Sequence, residues 1–237
     1  ADVALVTLLT PDGSFMDAAS LAGKRQLDTT LDKVSAAYAP GIYMARDWRP
    51  VSKTDYPMLT GGHDSFQWRE LEPTEGSYNW TRLDNLIANN AASGKKTAFG
   101  LTTYNGRIVG GIVVPDWLKN NYPQTTIDCG SGWKIPRYWN SVYLAKYRNL
   151  IQALANRYKN DSRVAWVQIG VGLYGEIQPS DDSDDNCVKN AMAADGRTDY
   201  YDFWMQTINQ ITDMFMQNFN TGKPVFLVYT PRFVNAN

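Results

Sequence analysis

Val164-Ala165-Trp166-Val167-Gln168-Ile169-Gly170-Val171 runs directly into Gly172-Leu173-Tyr174-Gly175-Glu176. The first part is nearly continuous in apolar residues. A strand with no face reserved for water belongs in a parallel sheet covered on both sides. The second part is rich in glycine, which adopts backbone conformations that other residues resist. The segment therefore predicts a buried strand ending in a sharp turn, with space for a ligand beside the glycines and Glu176 at the rim. Low-dielectric walls raise a carboxyl pKa, which suits a general acid. The plainer alternative is an exposed loop carboxylate, or one that caps the next element.

The flanking segments repeat one grammar. Upstream, Tyr143, Tyr147, Leu150, Ile151, Leu154 and Tyr158 share a helical face, with Asn140 or Ser141 as N-cap. Downstream, a helix is expected from about Asp199 to Asn218, then a strand at 224–230. Earlier strands are expected at 41–46, 64–68 and 97–103. Between the last two, Trp80, Leu83, Leu86 and Ile87 define a helix that stops at Gly94. Val3 to Leu9 reads as a short strand and Thr29 to Tyr38 as a short helix. Tyr104–Tyr138 and Gly172–Arg197 read as long loops.

Alternating strands and helices, with long loops after the strands, indicate an α/β fold. No Gly-x-Gly-x-x-Gly turn follows the first strand, so a dinucleotide fold lacks its phosphate cradle. Aromatic loops at strand C-terminal ends fit a (β/α)8 TIM-type barrel, whose active sites lie there. Residues 41–237 account for about the first five units, each unit taking roughly 30 residues. Residues 1–40 are expected to form an N-terminal segment packing on the barrel. The remaining units are expected in further sequence or in another chain.

Composition narrows the chemistry. Among 237 residues there are 23 Lys and Arg, 24 Asp and Glu, and one histidine. With no basic excess, nucleic acid is not an expected partner. The longest apolar runs, such as Ile108 to Val114, are interrupted by glycine and too short to span a membrane. A lone histidine argues against a His-ligated metal, and no cofactor is expected. His63 should face the bottom of the barrel, in a structural role. The acidic run Asp181-Asp182-Ser183-Asp184-Asp185 lacks EF-hand spacing and reads as a solvated loop rather than a calcium site. Cys129 and Cys187 are either two separate thiols or one disulfide. They fall in loops after adjacent strands, so a disulfide is expected, in an extracellular or cell-surface location.

One motif carries a family resemblance. Phe66-Gln67-Trp68-x-x-x-Glu72-Pro73-x-Glu75-Gly76-x-Tyr78-x-Trp80-x-x-Leu83-Asp84 resembles the second-strand signature of β-galactosidase-like glycoside hydrolases with (β/α)8 barrels. The run ending Gly175-Glu176 resembles the segment where those enzymes carry their acid/base glutamate, and also the corresponding segment of β-amylases. The resemblance covers about residues 41–230. It implies a secreted enzyme acting on carbohydrate, with Glu176 as acid/base. In this chain Gly175 stands where many of these hydrolases place an Asn that binds the sugar 2-hydroxyl. Their second carboxylate, on strand seven, has no counterpart here.

Glycosidases need two carboxylates, one to protonate the leaving oxygen and one to attack or to activate water. Within the chain the candidate partners of Glu176 are Asp47, Glu70 and Glu72, although Glu72 and Glu75 read better as turn and cap residues. Aromatic faces pack against sugar C–H faces. Trp48, Trp68, Tyr104, Trp117, Trp133, Trp139 and Tyr174 all lie near strand ends, with Trp68 and Tyr174 foremost; Trp204 reads as core. Arg46, Asp47, Trp68, Tyr104, Trp133 and Tyr174 form the expected substrate-binding set. A catalytically silent glycan-binding or structural surface protein on the same barrel is the alternative.

Overall fold

The computed structural model describes residues 5–8, 39–46, 52–107, 109–220 and 222–229. Its strands are β1 (Leu5–Leu8), β2 (Ile42–Ala45), β3 (Leu59–Gln67), β4 (Lys96–Thr102), β5 (Thr126–Asp128), β6 (Lys134–Pro136), β7 (Val164–Gln168) and β8 (Val225–Tyr229). Its helices are α1 (Trp68–Leu71), α2 (Thr81–Ala92), α3 (Asp116–Asn121), α4 (Ser141–Tyr158), α5 (Asp185–Ala194) and α6 (Tyr200–Asn218). The main sheet runs β1-β8-β7-β4-β3-β2. Strands β2, β3, β4, β7 and β8 are parallel, and β1 adds antiparallel to β8, with Leu5 opposite Tyr229. The five parallel strands with their helices form a curled part of a (β/α)8 barrel, the architecture expected from the alternating pattern.

Alternation along each strand separates two faces. Phe66, Phe99, Leu101 and Val167 are fully buried and join Leu83, Ile87, Leu150, Ile151 and Phe215 in the helix-covered core. The N-cap of α4 is Asn140, whose side chain accepts from the Val142 and Tyr143 amides at 3.0 and 3.2 Å. Asp199 caps α6 by accepting from Asp202 N–H at 3.2 Å. Trp204 is buried in α6 and donates to the Ile177 carbonyl at 2.7 Å.

The opposite face of the sheet is the barrel interior. His63 stacks on Trp166 at 5.1 Å, and Tyr43 and Phe226 meet Trp166 edge-on at 5.4 and 5.1 Å. Burial depresses the His63 pKa to about 4, with Gln168 pulling it upward. His63 is thus neutral and structural, but it lies in mid-strand rather than at the barrel bottom. The reason is that β3 begins at Leu59 rather than at the expected residue 64. A Cβ on Gly61 would lie 2.4 Å from the Lys96 carbonyl and 2.5 Å from the Tyr43 ring. Glycine there permits a strand to pass close to its neighbours and does not end it.

Three other expectations change. Trp68 opens α1 instead of closing the strand, because Gln67 and Glu70 form a capping box at that point. The connection 104–138 holds α3 and the β5–β6 hairpin. The acidic loop 172–197 contains α5, whose Val188, Ala191 and Met192 are buried at helical spacing. The helix expected at 29–38 lies outside the described residues. Among the described residues, no helix is long and apolar enough to cross a membrane.

Candidate active site

The parallel strands place their C-terminal ends together, and there the chain gathers its chemistry. β4 continues past its last residue, so that Tyr104 bridges in parallel to Leu173. The Glu176 N–H donates to the Leu173 carbonyl at 2.9 Å, closing a tight turn. Its two central residues, Tyr174 and Gly175, have φ of 55° and 81°. Paired positive φ marks a type I′ turn, unfavourable for a residue with a side chain such as tyrosine. A second bond, from Gly172 N–H to the Glu176 carbonyl at 2.7 Å, fixes the base of the turn.

The glycines serve the chain rather than a ligand. A Cβ on Gly170 would lie 2.3 Å from the Leu101 carbonyl, one on Gly172 1.8 Å from that of Gln178, and one on Gly175 2.6 Å from that of Leu101. The space expected for a ligand beside them is filled by backbone. Gly175 therefore has no room for the Asn found there in many similar hydrolases.

Glu176 is half-buried at this turn, and Tyr174 is 37% exposed beside it. The Tyr174 phenol is held above its usual pKa, first by desolvation and then by the charges of Asp181 and Glu176, while Arg46 works against them. Arg46, at the end of β2, is exposed, with φ of 56°. The structure thus groups Arg46, Tyr174, Glu176 and Asp181 at one rim. Asp47 and Trp48 lie outside the described residues.

Behind this rim stands a polar network. The Tyr104 hydroxyl donates to Asp181 Oδ2 at 3.1 Å and accepts from Trp133 Nε1 at 3.1 Å. Asp181 Oδ2 also accepts the Arg107 amide at 3.0 Å, and the Arg107 guanidinium grips buried Asp184 at 2.6 Å while lying 4.8 Å over the Trp133 ring. Desolvation, with Asp181 and Asp184 adding to it, raises the Tyr104 pKa far above its usual value, so the phenol stays protonated. Cys129 and Cys187 form the expected disulfide, tying the β5–β6 hairpin to α5. Within the acidic run, Asp181 and Asp184 thus latch this loop to the one after β4, where a solvated loop was expected. Among the described residues no cluster of His, Cys, Asp or Glu could hold a metal ion.

Several expected ligand contacts lie elsewhere. Trp68 is fully buried, packs against Trp117, Tyr143 and Tyr147, and donates to Glu72 Oε2 at 2.7 Å. It has no face left for a sugar, because the helix it opens turns it into the core. Tyr104 is also fully buried and reaches the rim only through its hydrogen bonds. Glu72 accepts the Gly76 amide at 2.8 Å as well, and its backbone carbonyl accepts Trp117 Nε1 at 2.9 Å. Burial raises the Glu72 pKa, with the Trp68 and Gly76 donors opposing. Glu75 pairs with Lys146 at 2.5 Å, and Glu70 accepts from the Gln67 amide and from Arg82. These three carboxylates hold turns and caps. Trp139 bonds Asp195 at 2.7 Å, away from the rim.

Arg107, Asp181 and Asp184 were not expected at the site. The available signal was positional: an arginine after β4 and an acidic run after β7, in neighbouring loops on the same barrel face.

The family model described as β-galactosidase, of glycoside hydrolase family 42, matches residues 45–219. No curated protein matches the chain in sequence. Among solved structures, the catalytic domain of the β-amylase from Paenibacillus polymyxa superposes with a TM-score of 0.58 at 14% identity, over 73% of this chain and 59% of that one. The β-galactosidase from the psychrophilic Marinomonas ef1 superposes with a TM-score of 0.50 at 14% identity, over 78% of this chain and 36% of that one. The chain thus spans less than two thirds of either.

Proposed function

The chain belongs to the β-galactosidase family of glycoside hydrolases, and on that premise we propose that it takes part in hydrolysing β-linked glycosides, with Glu176 as general acid/base. The observation that carries this reading is the position of Glu176. It ends a strained turn at the C-terminal rim of the barrel, beside Tyr174 and Arg46. The Glu176 carboxyl protonates the departing glycosidic oxygen while the second carboxylate either bonds the anomeric carbon or takes a proton from a water that does. In the former course Glu176, now a carboxylate, accepts a proton from the water that displaces the second carboxylate.

Arg46 and Tyr174 offer donors and one aromatic surface to the sugar. Tyr104 sets the turn from behind. The second carboxylate comes from barrel units other than these five, in further sequence or another chain. Glu70 and Glu72 do not fill that place, since both are engaged in local structure. The disulfide supports an extracellular or cell-surface setting, where oxidising conditions preserve such a bond.

The test is hydrolysis of a panel of aryl and natural β-glycosides by the protein and by Glu176→Gln. Turnover that falls by orders of magnitude in the variant supports the reading. Hydrolysis that is equal in both proteins removes Glu176 from the mechanism. Binding of glycans without any hydrolysis would favour the silent glycan-binding alternative.

A further inference from the structure

Beside the rim lies a groove of about 410 Å³, within the size range of small-ligand sites. It runs between the loop after β4, the first residues of α3 and the β5–β6 hairpin. Its lining combines one partly exposed indole, Trp133, with the Asp116 carboxylate, the Lys119 ammonium and the Asn120 amide. Asp116 and Lys119 pair at 2.6 Å, and Asp116 remains 83% exposed. The floor is glycine. Nothing lies within 4 Å of where a Cβ on Gly110 or Gly132 would be, so the space above both is open.

The indole is held in advance. Its nitrogen donates to Tyr104, Arg107 lies over its ring, and its six-membered ring comes close to Gly111. The turn that carries it is closed by Cys129 N–H to the Trp133 carbonyl at 2.8 Å, and Cys129 is in the disulfide. A rigid aromatic surface loses little entropy on binding. An indole next to exposed carboxylate, ammonium and amide groups matches a pyranose, whose C–H side packs on an aromatic face while the hydroxyls around its rim reach polar groups. Lys134 adds a second ammonium to the lining, a further donor for sugar hydroxyls.

We propose that this groove is a second sugar-binding site, which holds one pyranose unit of an oligosaccharide or glycan chain that extends past the rim carrying Glu176. Trp133 links the two places, since its nitrogen bonds the Tyr104 hydroxyl and the Tyr104 carbonyl accepts the Tyr174 amide. The inference rests on the glycosidase reading for its class of ligand, but not on the role of Glu176. The substrate is therefore a chain of several sugars, not an isolated disaccharide.

The test uses the Glu176→Gln protein, labelled with nitrogen-15, titrated with β-1,4-galactotetraose and separately with cellotetraose. The expected result is a saturable shift of the Trp133 indole and Asn120 amide resonances with at least one probe. Asn120→Ala and Lys119→Met should each weaken that response about tenfold, while Arg46→Ala leaves the groove resonances responsive. Shifts confined to Arg46 and Tyr174, a response indifferent to both groove variants, or no response to either probe overturns the proposal. Wild-type hydrolysis is measured alongside. Turnover without groove shifts defeats this inference alone, and groove shifts without turnover defeat only the reading of Glu176.

Discussion

The Tyr174 amide donates to the Tyr104 carbonyl at 2.8 Å, so the turn that presents Glu176 is stitched to the end of β4. Tyr104 is in turn fixed through its hydroxyl by Asp181 and Trp133. The position of the candidate acid/base is thus determined by two strands and by the loop network behind them.

Glu176→Gln should lower turnover on substrates with poor leaving groups by roughly 10²–10⁴, the range of general acid–base catalysis. The thermal midpoint should move little, since the turn is held by backbone bonds that the substitution keeps. Steady-state kinetics on leaving groups of graded acidity checks this, and a uniform loss across them would contradict the acid role.

Tyr174→Asn should retain the fold, because asparagine tolerates positive φ better than tyrosine does. Relief of strain is worth on the order of 1 kcal/mol. Removal of the aromatic surface should raise KM more than it lowers kcat. Denaturant titration and kinetics on the same sample separate the two effects.

His63 provides the pH prediction. Its pKa is depressed in the folded state to about 4, below its ordinary value of 6.5. Between those values the unfolded chain binds more protons than the folded one, so stability rises with pH. The contribution is complete above about pH 6.5 and is lost as the pH falls toward 4, at most about 3 kcal/mol from the usual conversion of pKa shift to free energy. His63→Phe should flatten that part of the stability curve. Urea unfolding from pH 4 to 7 is the measurement, and an unchanged slope in the variant would count against the assignment.

Glu72→Gln should destabilise the protein by about 1–3 kcal/mol, the cost of an unsatisfied buried polar group. The carboxylate accepts Trp68 Nε1 on one oxygen and the Gly76 amide on the other. An amide has one oxygen to offer and must turn its NH₂ toward one of these donors. A loss in urea titration with unchanged specific activity of the folded fraction is the expected outcome.

Replacing both Cys129 and Cys187 by serine should cost up to roughly 4 kcal/mol, since the bond closes a separation of 58 residues. The Trp133 indole should then gain local mobility. Unfolding under non-reducing conditions, compared with the reduced wild type, gives the magnitude.

The strand-and-helix order was legible because apolar periodicity depends on local sequence. The core strand 164–168 and the helices at 141–158 and 200–218 follow that periodicity. Trp68 was misplaced because a capping box formed by Gln67 and Glu70 outweighs the strand-like pattern before it. The start of β3 was placed at 64 instead of Leu59, because the close approach of Gly61 to Tyr43 and Lys96 depends on neighbouring strands and not on local sequence. The Tyr104–Asp181–Arg107 network joins residues far apart in the chain, and only the register of β4 and β7 brings them together. The turn that carries Tyr174 and Glu176 was legible because a glycine-rich segment after a buried strand is a local signal.

The antiparallel pairing of β1 with β8 has a consequence for how the molecule comes to be. Leu5 faces Tyr229, so the first described strand and the last must meet across nearly the whole chain. Each parallel pair can form soon after its second strand leaves the ribosome, whereas β1 must wait until β8 exists. Contacts of such high sequence separation slow folding. Among the described strands β1 is therefore the last to join the sheet, and until it does the edge of β8 lacks that partner.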